Sequence, residues 1–279
     1  MKKISRISSI FFIIIMTLSP TISFADTYYY SDSIYVYNLD DKEVEFAVNP
    51  DAHRAPASLT KMMTTILAIE KVKDLSETAT ITQETYDFAV NSNATMAGFL
   101  GNETVTFEDL LYGTMLPSAA ECANTLAVAI AGSESDFIKQ MNEKASALGM
   151  RNTHFQTTEG LDAENQYTTA RDMAKLVEYA IQNKTFYEIF SSSQYTSQPT
   201  NLHPDGVTMY STVLPKLNDY IIESGKIIGG KSGTTLNAGL CWATLAEKND
   251  KHYIIIVMGS NLDSNNGQIL DTITLLNQL

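Results

Sequence analysis

The chain has 279 residues and a formal net charge of −13, with 44% hydrophobic and 18% charged residues, two cysteines and four histidines. That acidity argues against nucleic acid and anionic membrane surfaces as partners. Two cysteines are too few for a disulfide scaffold, and the scattered His53, His154, His203 and His252 form no metal motif.

The first 25 residues carry Lys2, Lys3 and Arg6, an apolar run from Ile10 to Leu18, and Ser23-Phe24-Ala25 before Asp26. This is the pattern of a secretory signal peptide cleaved after Ala25. The apolar run is about half of the ~20 residues a spanning helix needs, and Pro20 follows it, so no stable membrane anchor is expected after cleavage. Losing three cations and no acids takes the net charge from −13 to −16. Residues 26–279 are long enough for one large domain with a real core.

Ile34-Tyr35-Val36-Tyr37 and Val44-Glu45-Phe46-Ala47-Val48 flank the turn-like Leu39-Asp40-Asp41-Lys42 and predict a β-hairpin. A helix is predicted to start around Ser58. The middle is read as mostly helical, with starts of the [ST]-x-x-[DE] type at Thr106, Ser133 and Thr169. After the last of these, Met173, Leu176, Val177 and Ala180 repeat at the spacing of a helix packed on one face. Leu240–Ala246 and His252–Met258, separated by the polar turn 247–250, predict the centre of an antiparallel sheet. Ile269, Leu270, Ile273 and Leu276 predict a final helix over it. The expected architecture is α/β in the α+β sense: one sheet built from both termini, with a helical subdomain inserted over roughly 75–185. Cys122 and Cys241 read as buried free thiols, with a bridge as the alternative in an exported protein.

Two stretches carry chemistry. In Ala57-Ser58-Leu59-Thr60-Lys61-Met62-Met63, the i, i+3 spacing puts Ser58 and Lys61 on one helical face. A desolvated, neutral Lys61 amine could there take the Ser58 proton. Pro56 suits the first turn, and the Ser58 N–H, among the unpaired donors of a helix start, could face an oxyanion. The second stretch, Gly225 to Ser232, satisfies the phosphate-loop pattern G-x-x-x-x-G-K-[ST]. A phosphate loop must open into a helix, whereas Gly233, Thr234, Thr235 and Asn237-Ala238-Gly239 make a poor helix start, so no nucleotide is expected. The other reading makes Lys231-Ser232-Gly233 an edge strand facing the Ser58 helix. Lys231 with the Ser232 and Thr235 hydroxyls would then suit a substrate carboxylate. Gly233 would let a substrate backbone approach, and the Thr234 N–H would complete the oxyanion hole.

S-x-x-K early, a serine motif in the middle and K-[ST]-G late together resemble the penicillin-recognising serine enzymes. The segment Arg54 to Met63 is similar to the nucleophile segment of serine-type D-alanyl-D-alanine carboxypeptidases, the low-molecular-mass penicillin-binding proteins. Three further segments agree in order and spacing: Thr106–Gly113 leading to Leu116-Pro117-Ser118, Glu159-Gly160-Leu161-Asp162 with Tyr167–Asp172, and Gly230–Thr235. The resemblance implies Ser58 as the acylated nucleophile, Lys61 as its base, Ser118 as a proton relay, and Lys231 with Ser232 as the carboxylate site. The Ser58 and Thr234 N–H groups would hold the oxyanion. It implies a peptidoglycan stem peptide ending in D-Ala-D-Ala as substrate, β-lactam antibiotics as covalent inhibitors, an extracytoplasmic, wall-associated location, and no cofactor or metal.

The chain departs from the family pattern at the middle motif. Ser118-Ala119-Ala120 places Ala120 where the family carries an asparagine that hydrogen-bonds the catalytic lysine and the substrate backbone, a loss of roughly 0.5–3 kcal/mol. Asn124 is about a turn too far along a helix to replace it. Neither a C-terminal β domain nor an amphipathic anchor is expected before Leu279. The alternatives are a β-lactamase, for which no Glu-x-x-x-Asn stands between Ser118 and Lys231, and an attenuated binder of wall peptide or β-lactam, supported by Ala120.

Overall fold

The computed structural model describes residues 27–279; the signal-peptide reading lies outside the described residues. In chain order the elements are β1 (Ser33–Asn38), β2 (Glu43–Val48), α1 (Thr60–Lys71), β3 (Thr78–Ile81), α2 (Gln83–Asn91), β4 (Glu103–Thr106), α3 (Phe107–Met115), α4 (Ala120–Ala131) and α5 (Glu134–Ala147). They continue as α6 (Ala170–Ala180), α7 (Lys184–Ser191), β5 (Gln194–Thr196), β6 (Thr208–Tyr210), β7 (Gly225–Thr235), β8 (Gly239–Lys248), β9 (Lys251–Ser260) and α8 (Gly267–Gln278).

The main sheet is antiparallel with strand order β2-β1-β9-β8-β7, so the two ends of the chain meet where β1 pairs with β9. Asn249 and Asp250 both take positive φ (52° and 60°) between β8 and β9, as a two-residue hairpin whose twist matches its strands requires. β9 shows why its sequence is an unbroken apolar run. Ile254, Ile256 and Met258 face the core beneath the helices, while Tyr253, Ile255 and Val257 face the layer formed with Ile269, Ile273 and Leu276 of α8. Both faces are covered, so the period of two is filled with apolar side chains on each.

Thr106, Ser133 and Thr169 each accept the N–H three residues on, at 3.1 Å, and so cap α3, α5 and α6. The α6 stripe Met173, Leu176, Val177 and Ala180 is buried as its spacing predicts. α1 is buried all round in its first nine residues: every residue from Thr60 to Ala68 is covered, including the threonines. Thr64 is accommodated by donating its hydroxyl to the Thr158 carbonyl at 2.6 Å. Two short ribbons, β3–β4 and β5–β6, interrupt the helical middle and were not expected. Cys122 and Cys241 are buried and unbridged, and burial pushes both thiols up, Cys241 to about 12, which leaves them inert.

Candidate active site

The site forms where the start of α1, the turn before α4 and strand β7 converge. Residues Ala57–Leu59 make a 3-10 turn that runs into α1, placing Ser58 half-buried at its mouth and Lys61 in the first helical turn. Ala57 takes φ +47°, a costly conformation for alanine, and the 159–162 loop holds it there. Gly160 lies so close that a Cβ on it would stand 2.0 Å from the Ala57 carbonyl oxygen. Across the cleft, Ser118 takes φ +68° just before α4, a second strained serine-bearing turn.

Lys61 Nζ donates to Ser58 Oγ at 3.2 Å and to the Glu159 carbonyl at 2.5 Å. It is 3% exposed, and burial lowers its pKa from 10.5 to about 8, against the raising charges of Glu159, Glu121 and Cys122. Lys231 Nζ donates to Ser118 Oγ at 2.9 Å and to the Ser232 carbonyl at 2.8 Å. Burial, with the Lys61 charge adding to it, holds Lys231 well below the usual lysine range. Two lysines thus lie beneath two serine hydroxyls. They are buried under a cleft of about 210 Å³ lined by Ser58, Ser118, Ser232, Gly233, Thr234 and Lys216 among others.

The stretch that matches the phosphate-loop pattern is one continuous edge strand, β7, with no helix after it, which removes the nucleotide reading. Two details of that strand add to the sequence reading. The space at Gly233 is taken by the protein itself, since a Cβ there would stand 3.0 Å from Ala57 Cβ and Ser58 N and 3.2 Å from Leu59 N. The glycine therefore lets the nucleophile's own turn approach β7, while its backbone still lines the cleft. Thr235 lies outside the cleft lining, with its hydroxyl donated to Asp162 at 2.6 Å, a bond that ties β7 to the 159–162 loop. Asn124 is committed elsewhere, accepting the Thr158 hydroxyl at 2.5 Å.

Sequence reasoning missed several contributors. The Glu159 carbonyl is a main-chain acceptor, which no side-chain pattern announces. Thr212 shares a 2.6 Å hydrogen bond with Ser232 Oγ, and Lys216 brings to the cleft rim an exposed cation that has no carboxylate partner among the described residues. Both come from the irregular 211–219 segment, which has no periodicity to read. Larger open grooves, such as the one of about 500 Å³ by Lys71 and Phe107, contain none of Ser58, Lys61, Ser118, Lys231 and Ser232. Among the described residues no cluster of His, Cys, Asp and Glu suited to a metal ion stands together, and no helix is long and apolar enough to cross a membrane.

A family profile described as D-alanyl-D-alanine carboxypeptidase matches residues 25–261. The D-alanyl-D-alanine carboxypeptidase of Streptomyces sp. strain K15 is 30% identical over 217 residues, covering 75% of this chain and 74% of that protein. DacC of Escherichia coli K12, named a D-alanyl-D-alanine carboxypeptidase, is 32% identical over 224 residues, 77% of this chain; the match spans about half (53%) of the length of DacC. The solved Streptomyces K15 DD-transpeptidase superposes with a TM-score of 0.81 at 28% identity, covering 90% of this chain and 97% of that one. With the α+β fold, the motif order and these likenesses in agreement, the chain belongs to the D-alanyl-D-alanine carboxypeptidase family of serine peptidases.

Proposed function

We propose that the protein is an exported carboxypeptidase that removes the terminal D-alanine from peptidoglycan stem peptides through an acyl-enzyme on Ser58. The observation that carries this reading is the Ser58–Lys61 pair: a hydroxyl 3.2 Å from a buried amine whose pKa is lowered to about 8. At pH 7 such an amine is neutral in about one molecule in ten, against roughly one in three thousand for an ordinary lysine. Ser58 Oγ attacks the carbonyl of the penultimate D-alanine as its proton passes to Lys61 Nζ. The negative oxygen that forms is held by the Ser58 and Thr234 N–H groups. The peptide C–N bond then breaks, and the leaving amine takes a proton relayed through the Ser118 hydroxyl, which the Lys231 hydrogen bond orients. Water hydrolyses the ester and restores Ser58. Ser232 and the rim cation Lys216 line the cleft, and with Lys231 buried beneath it they make the place for the terminal carboxylate.

β-Lactams enter the same chemistry as carboxylate-bearing acylating agents and stop at the ester. An extracytoplasmic, wall-associated location follows from that substrate and from the signal-like residues 1–25. The test is D-alanine release from an acyl-D-Ala-D-Ala peptide by the purified protein and its Ser58→Ala variant. Release that vanishes in the variant supports the reading. No release from folded protein that still acylates with penicillin points to the attenuated binder, and rapid drug turnover to a β-lactamase. Adding an amine acceptor separates hydrolysis from transfer, since a transpeptidase yields the amide product.

A further inference from the structure

The 157–162 loop touches both halves of the catalytic apparatus. On one side it meets the start of α1: the Glu159 carbonyl accepts from Lys61 Nζ at 2.5 Å, the Thr158 carbonyl accepts the Thr64 hydroxyl at 2.6 Å, and Gly160 lies against the Ala57 carbonyl. On the other side Asp162 reaches the end of β7. One of its carboxylate oxygens accepts the Thr235 hydroxyl at 2.6 Å, and the other accepts the Asn237 N–H at 3.2 Å. Thr235 directly follows Thr234, whose N–H is assigned to the oxyanion hole, and Gly233 directly precedes it and packs on the Ser58 turn. The stretch that offers the Thr234 N–H is therefore held at both ends, by the Ser58 turn at Gly233 and by Asp162 at Thr235.

Keeping the loop in its own shape does not explain Asp162. That shape is made by Gln166, whose side-chain oxygen accepts the Gln156 and Thr157 N–H groups at 3.0 Å each and whose nitrogen donates to the Leu161 carbonyl at 2.7 Å. The Gly160 N–H adds a 2.9 Å bond to the Thr157 hydroxyl. Asp162 contributes the tie to β7. It is exposed, as is Asn237, so its bonds compete with water and add little to global stability. What a tie in this place controls is geometry. The Ser58 N–H sits on a turn that the loop backs and the Thr234 N–H on a strand that the loop holds, and an oxyanion hole works only when both donors aim at one oxygen.

We propose that Asp162 is a positioning residue: by fastening the 157–162 loop to Thr235 and Asn237 it sets the Thr234 N–H against the Ser58 N–H and the nucleophile. That role rests on the reading of Ser58 and Lys61 as nucleophile and base and of the two N–H groups as the oxyanion hole. Asp162 lies outside the cleft lining and takes no part in the proton transfer from Ser58 Oγ to Lys61 Nζ.

The test is Ser58 acylation by a fluorescent penicillin over a range of drug concentrations, so that the maximal rate and the half-saturating concentration are read separately, with melting temperature as the folding control. Asp162→Ala and Thr235→Val are each expected to lower the maximal rate roughly tenfold and to leave the half-saturating concentration unchanged, since a misplacement of about 1 Å can cost a hundredfold and the freed strand end shifts by less. The double variant is expected to lose no more than either single variant, because both cut the same tie. Thr235→Ser keeps the hydroxyl and is expected to restore the wild-type rate. If Asp162→Ala does not fold, Thr235→Val beside Thr235→Ser carries the test. A folded Asp162→Ala protein with the wild-type maximal rate overturns the proposal, and so does a double variant whose losses multiply to about a hundredfold. A Thr235→Val protein in which only the half-saturating concentration rises overturns it as well, since Thr235 would then act on the ligand directly. A Lys61→Ala protein that acylates normally overturns instead the catalytic reading beneath it.

Discussion

Replacing Gly233 with alanine isolates the contact that seats the nucleophile. The strand position is extended, so the substitution carries no φ penalty; its cost is the contact of the new Cβ with Ala57 Cβ and Ser58 N, both 3.0 Å away. Two of the three nearest atoms are backbone nitrogens of the turn bearing Ser58, so relief means moving that turn away from β7 by a few tenths of an ångström. Overpacking of this kind costs about 1–3 kcal/mol, which for a chain of this size is about 2–4 °C in Tm per kcal/mol. Displacing a reacting atom by 1 Å can cost about a hundredfold in rate, so a smaller shift is expected to slow Ser58 acylation by roughly tenfold. The control is Gly132→Ala. Gly132 has φ +82° and nothing within 4 Å of its would-be Cβ, so strain of about 1 kcal/mol should lower Tm and leave acylation unchanged. Acylation timed with fluorescent penicillin, beside thermal melts, reads both variants. Wild-type acylation by a Gly233→Ala protein, or an equal loss in both variants, would refute the role given to this contact.

Three further outcomes follow from the same geometry. Only the neutral Lys61 amine can accept a proton, so the acylation rate should rise with pH through about 8 and level off above it; stopped-flow traces across that range would show the limb or its absence. Lys216→Ala should raise KM for a carboxylate-ended peptide about tenfold and leave kcat nearly unchanged, and a peptide amide should show no such difference. Thr169→Ala removes a buried cap bonded to the Asp172 N–H and should lower stability by about 1 kcal/mol, seen as a fall of about 2–4 °C in Tm without loss of acylation per folded molecule.

What could be read in advance was whatever side-chain identity encodes locally. The hairpin β1–β2, the caps Thr106, Ser133 and Thr169, the β8–β9 pair and its covering helix each announce themselves by period or by a turn residue. Ser58 and Lys61 meet because three positions along one helical start leave them no other choice. Lys231 and Ser118 are 113 positions apart; family likeness rather than spacing named each of them, and their hydrogen bond to one another was not read from the sequence. The Glu159 carbonyl, the packing of Gly233 and the commitment of Thr235 to Asp162 were beyond sequence reasoning, because each depends on how a loop lies against a turn in space. The ribbons β3–β4 and β5–β6 were missed for a different reason. Their strands are three or four residues long, too short for an alternation to stand out.

A sheet sewn together from the two ends of the chain also sets the order in which the molecule can become itself. β1 has β9 as its inner neighbour, and near the same seam the Tyr29 hydroxyl reaches the Gln278 side chain, 249 positions away. Contacts of such separation pay the loop-closure entropy before they return any stabilisation, so folding is expected to be slow. The early helices have no finished surface to rest on until the last strands arrive. The edge that brings Lys231 to Ser118 belongs to that late-arriving part, so chemical competence and completion of the sheet are expected to emerge together in a refolding experiment.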